Sequence, residues 1–178
     1  MTSRWSFLIL AVVVVVCGFV GISCQKTVPT QEIETRRVVI VTGIDYPGHK
    51  WQETAPALAE MLRREVRLEV DVVDEPAFLA SPKLKEYDTV VLHFMDWETP
   101  DPGEEARQGL ADFVSEGGGC VVVHFACGAF QEWDEYEQIT GPVYDPNLRP
   151  HDPFGPFTVE ATDVEHPITA GMEPFETT

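Results

Sequence analysis

The sequence predicts an α/β fold, a three-layer α/β/α sandwich with a mainly parallel sheet. Short apolar runs rich in β-branched residues alternate with segments whose apolar residues recur at helical spacing. The runs lack the in-out alternation of a half-exposed strand, as strands buried on both faces do. Repeated β-α-β order then places helices over both faces of one sheet.

Val38 to Thr42 is the first such run and stops at Gly43. Gly48 and His49 open a helix through Ala55 to Arg64, with Leu58, Met61 and Leu62 on its inner face. Arg67 to Val73 alternates with period two, placing Leu68, Val70 and Val72 on one side of a strand nearer the sheet edge. Thr89 to Leu92 is the third strand. Asp101 and Pro102 are read as N-cap and first turn of a helix reaching Glu116, with core stripe Ala106, Leu110, Phe113 and Val114 and a stop at Gly117. Val121 to Val123 is the fourth strand. Beyond Gly141, five prolines from Pro142 to Pro156 mark a long loop around His151, followed by a strand at Phe157 to Val159.

A length of 178 residues suits one domain. Before it, Arg4, the apolar run from Phe7 to Val20 and the small residues leading into Cys24 read as an export signal over residues 1–24. Gly21-Ile22-Ser23-Cys24 resembles a bacterial lipobox, which makes Cys24 the lipidation site and the domain periplasmic or cell-surface, anchored to a membrane. Ordinary cleavage and an uncleaved anchor are the alternatives. Residues 25–35 form a tether, and residues 36–178 the domain. The final Phe175-Glu176-Thr177-Thr178 carries no closing helix and reads as a truncated end.

The net charge is −18, and after Cys24 the chain has 30 acidic residues against 11 Lys and Arg. Nucleic acid is thereby disfavoured as a partner. Between Asp96 and Glu137 lie eleven acids and one base, Arg107, a run best read as a solvated surface. Cys120 and Cys127 are placed at the two ends of one extended strand, about 23 Å apart, beyond the roughly 7 Å reach of a disulfide. They are expected to be free thiols.

In parallel sheets, ligands bind at the carboxyl ends of strands, and several chemistry-bearing residues fall there. Asp45, Tyr46, His49 and Trp51 follow the first strand; His93, Asp96 and Trp97 the third; His124, Cys127, Phe130 and Trp133 the fourth. The proline loop adds Asp145, His151 and Asp152. Aromatic planes among carboxylates and imidazoles suit a sugar, which offers apolar ring faces and many hydroxyls. His93 reads as a satisfied core histidine and His166, before Pro167, as a turn residue. Trp97 and Trp133 have plain core packing as their alternative.

Cys127 on a sharp strand-to-helix turn near His124 would have an activated thiol. Its flanks, Phe125 and Ala129, leave a Gly-x-Cys-x-Gly elbow incomplete. Two imidazoles, His124 and His151, with a carboxylate would suit zinc or another divalent ion, although no His-x-x-x-His or Cys-x-x-Cys spacing supports it.

Gly117-Gly118-Gly119, Val121-Val122-Val123-His124, Phe130 with Trp133-Asp134-Glu135-Tyr136, Gly141, His151 and His166-Pro167-Ile168-Thr169 together resemble the trehalose-utilisation ThuA-like family. Gly48-His49-Lys50-Trp51 with Glu53 and Pro56, and Leu92-His93-Phe94 with Trp97, agree with it over residues 36–178. The resemblance implies a flavodoxin-like sheet, as in class I glutamine amidotransferases, and a link to disaccharides and their 3-keto forms. Phe125 departs from the family's small polar residue after His124, and the missing elbow argues against glutaminase activity.

The expectation is an exported protein acting on a disaccharide or keto-sugar derivative by hydrolysis or elimination. His124 is the general base or a metal ligand, His151 its partner, and Asp96 an orienting carboxylate. His49, Trp97, Phe130 and Trp133 hold the sugar. A non-catalytic glycan-binding lipoprotein and a Cys127-dependent hydrolase are the alternatives.

Overall fold

The computed structural model describes residues 34–148 and 153–177. The apolar N-terminal run, Cys24, most of the tether, His151 and Asp152 lie outside the described residues.

Four parallel strands, β1 (Arg36–Val41), β2 (Leu68–Val73), β3 (Thr89–Leu92) and β4 (Gly119–Val122), pair in the order β2-β1-β3-β4. This is the order of the first four strands of a flavodoxin-like sheet. The two faces of β1 bury different residues: Val39 and Val41 join Val90 and Leu92 on one side, and Val38 and Ile40 join Val70 and Val91 on the other. Burying each such side chain stabilises the fold by roughly 1.5–3 kcal/mol.

Helix α1 (Trp51–Leu62) covers the second face through Ala55 and Ala59, helped by half-buried Leu58 and Leu62. Met61, expected on that inner face, is exposed. The stripe of Ala55, Leu58, Ala59 and Leu62 faces the sheet, and helical phase places position 61 away from it. On the first face, α2 (Glu104–Ser115) buries Ala106, Leu110 and Phe113. A short helix α3 (Asp134–Thr140) adds Tyr136 to the same core.

Helix α2 starts later than expected. Its N-cap is Gly103, and Asp101 instead accepts the Gly103 N–H at 2.9 Å and pairs with Arg107. At its other end Gly117 (φ 101°) donates to Val114 O and Gly118 to Phe113 O, the two bonds of a Schellman stop. Between β2 and β3 the crossover is made by two proline-initiated 3₁₀ turns, Pro76–Ala80 and Pro82–Glu86, which bury Leu79 and Leu84. The expected strand near Phe157 is present as β5 (Thr158–Val159), antiparallel to β6 (Phe175–Glu176) in a separate two-stranded sheet.

Cys120 and Cys127 are free, as expected, but they do not share one strand. Cys120 lies in β4, where burial pushes its thiol up to about 11, whereas Cys127 belongs to a 3₁₀ turn, His124–Gly128, that follows.

Candidate active site

Strand β1 runs out at Thr42, and Tyr46-Pro47-Gly48-His49 then reverses the chain. The His49 N–H donates to Tyr46 O at 2.9 Å, and Gly48 has φ 86°. Proline second and a positive-φ glycine third are what a type II turn requires. The turn carries His49 back over the strand ends, where its imidazole stacks on Phe125 at 4.3 Å, inclined by 16°.

Strand β4 ends more abruptly. His124 takes φ 44°, in the left-handed region that residues other than glycine uncommonly enter. The sharp elbow is therefore at His124, not at Cys127. No α-helix N-terminus follows Cys127 directly: the 3₁₀ turn that holds it ends at Gly128, and α3 begins only at Asp134. The strand–elbow–helix turn of Gly-x-Ser-x-Gly enzymes is therefore not formed at Cys127. The turn is braced from below by the Tyr136 hydroxyl, which donates to Ala126 O at 2.7 Å. It is braced from the side by the Tyr144 N–H, which donates to Cys127 O at 3.0 Å.

These two devices bring the His49 and His124 rings to a centroid separation of 5.0 Å, edge to face. Desolvation and the like charge of His124 hold the His49 imidazole below its ordinary range. Around the pair a cavity of about 250 Å³ is lined by Tyr46, Met95, Trp97, Phe125, Cys127 and Tyr144. Trp97 is fixed: its indole N–H donates to Gly128 O at 2.7 Å, and Tyr144 packs on its ring at 4.8 Å. Gly128 permits this approach, since a Cβ there would lie 3.0 Å from the indole. Its lining comes from the segments that follow β1, β3 and β4, and the strand order reverses between β1 and β3. Such a switch point is where open α/β sheets bind ligands.

Other expected site residues are placed elsewhere. Phe130 was expected to hold sugar but is 2% exposed and packs with Phe94, Trp133 and Tyr136. Trp133, half-buried, stacks on Tyr136 and lines a different cavity from the histidines. Asp96 is 7% exposed; burial raises its carboxyl above the usual range, against the opposing effect of the Phe130 N–H donated at 3.0 Å. It lines a neighbouring cavity with Arg107, not the histidine cavity.

His93, 3% exposed, is a core histidine as expected. The Thr42 hydroxyl donates to its carbonyl at 2.9 Å, so the 3.1 Å contact to Nδ1 is made by the ring N–H. Burial pushes its imidazole down. His166 lies in an exposed turn, where Nδ1 accepts the Ile168 N–H.

Among the described residues no group of three His, Cys, Asp or Glu side chains is arranged to hold a metal ion. His151, half of the expected ligand pair, lies outside them. Sequence reasoning missed Met95 and Tyr144; the tyrosine sits in the proline-rich stretch after Gly141, where no periodicity points to an inward side chain.

The fold is that of a doubly wound α/β domain, with the candidate crevice near the β1/β3 switch point. The family model for ThuA, trehalose utilisation, matches residues 37–178, and the chain belongs to that family. Membership supports a carbohydrate-related role. A ThuA-like protein from Parabacteroides merdae has a similar solved structure: TM-score 0.63 and 23% identity, over 80% of this chain and 60% of that one. Another, from Bacteroides uniformis, gives a TM-score of 0.61 and 22% identity over 80% and 57%. The chain thus spans about three fifths of the length of these relatives, and at such identity the likeness shows the fold. No curated protein matches the chain.

Proposed function

We propose that this is an exported, membrane-anchored enzyme that acts on a sugar or keto-sugar derivative by hydrolysis or elimination, with His124 as general base. The observation carrying this reading is the imidazole pair, 5.0 Å apart, inside an aromatic-walled cavity at the strand-end crevice. Neutral imidazole accepts a proton near neutral pH, from water in hydrolysis or from the carbon beside a keto group in elimination. His49, kept neutral by desolvation and by its neighbour, donates one N–H to the substrate without competing for that proton. Trp97 and Tyr144 offer flat faces to the apolar side of the ring.

The test is His124→Gln and His49→Gln in the full-length chain, assayed for turnover and equilibrium binding against glycosides and their 3-keto derivatives. His124→Gln is expected to abolish turnover while sugar binding stays within about threefold. Equal loss of both would replace this reading with a non-catalytic glycan-binding protein. Turnover destroyed by alkylation of Cys127 but kept in His124→Gln would move the chemistry to the thiol.

A further inference from the structure

The histidine cavity, about 250 Å³, is smaller than the roughly 300–1,000 Å³ that drug-sized ligands occupy, and suits one pyranose ring. Trp97 also lines a second cavity of about 570 Å³, together with Asp96, Thr99, Arg107, Gln131 and Glu132. One indole, 41% exposed, is therefore common to both spaces. It is held against Gly128 by its own N–H and against Tyr144 by packing, so it is a fixed partition.

The second cavity is chemically different from the first. It has no histidine among its described lining residues. It has a carboxyl group more than nine-tenths buried, a guanidinium tied to Asp101, and an amide whose Nε2 donates to Tyr144 O at 3.3 Å. Carboxyl, amide and guanidinium groups converging beside an aromatic face match the hydroxyls and apolar side of a second sugar ring. They lack the paired imidazoles that the proposed reaction uses.

We propose that the Asp96–Arg107 cavity is a second sugar subsite, taking the unit linked to the ring held by His49 and His124, with Trp97 as the shared wall beneath the linkage. This rests on the carbohydrate reading above. It gives Asp96 a binding role on the far unit instead of a partnership with His124, and makes Trp97 the residue that sets how the ligand divides between the two spaces.

The test is calorimetric binding of matched methyl glycosides and disaccharides, methyl α-glucoside and trehalose among them, to the full-length chain and to Glu132→Trp and Thr99→Trp. Both positions are exposed at the second cavity, so a bulky side chain fills it without entering the core. Melting followed by circular dichroism checks that each variant is folded. Both variants are expected to weaken disaccharide binding at least about tenfold and leave the methyl glycoside within about twofold. Unchanged disaccharide affinity, or equal weakening of both ligands, overturns the subsite. The carbohydrate reading then stands if His124→Gln still stops turnover of the bound sugar. Failure of every saccharide to bind the parent chain overturns both.

Discussion

His124 combines the role of general base proposed for it with an unfavourable backbone position, and the two can be separated. A left-handed conformation costs a residue with a Cβ about 1–2 kcal/mol, offset in glycine by its greater entropy loss on folding. His124→Ala and His124→Gly both remove the imidazole, so both are expected to be inactive. In urea unfolding the glycine variant is expected to be more stable than the alanine variant by about 1 kcal/mol. Equal stability would mean that φ 44° stores no strain. Asp96 gives a pH signature. Burial raises its carboxyl in the folded state, so the folded protein holds the proton more tightly than the unfolded chain does. Its contribution to stability is greatest below the unfolded carboxylate value and declines as pH rises through the folded one. In Asp96→Asn the side-chain carbonyl still accepts the Phe130 N–H, and this decline is absent. The stability of the parent relative to the variant is therefore expected to fall between pH 3.5 and 7, as read by urea unfolding at both values. A constant difference would show that burial does not perturb Asp96.

Elements were legible in proportion to their hydrophobic contrast. The β-branched runs at Val38 and Thr89 gave strands where expected, because strands buried on both faces need apolar side chains at nearly every position. Helix α3 was not legible: its seven residues, DEYEQIT, bury only Tyr136, too few to show a period. The 3₁₀ crossover was equally hidden, since Pro76 and Pro82 announce a connection without specifying its form. Close approach between elements is another property that sequence alone conceals. Gly109, mid-helix in α2, costs about 1 kcal/mol of helix propensity relative to alanine. Yet a Cβ there would lie 2.0 Å from the Leu79 carbonyl oxygen. Overpacking of this kind costs about 1–3 kcal/mol and should exceed the propensity gain. Gly109→Ala is expected to lower the urea midpoint; a raised midpoint would show that α2 can move away from the turn without loss.

At the scale of the whole molecule, charge is the dominant imbalance, with 30 acidic residues against 12 Lys and Arg. Several acids are locally paired, as in Asp88 with Arg36 and Glu116 with Lys85, but these pairs are exposed and weak. Long-range repulsion is therefore expected to govern the salt response. Raising NaCl from 10 mM to 1 M shortens the screening length from about 30 to 3 Å. The melting temperature is expected to rise by about 4 °C, equivalent to about 1 kcal/mol; a fall would mean that attractive pairs outweigh the repulsion. Which strand ends border the candidate site was legible, because histidines and aromatics follow the apolar runs. Their grouping was not, since the type II turn at Gly48 and the elbow at His124 decide which rings meet. Every described residue lining the histidine cavity lies in a connection, from Tyr46 to Tyr144, and none of them lies in β1 to β4. Evolution can therefore diversify the ligand by exchanging loops one at a time, while the strands go on satisfying the same folding requirement.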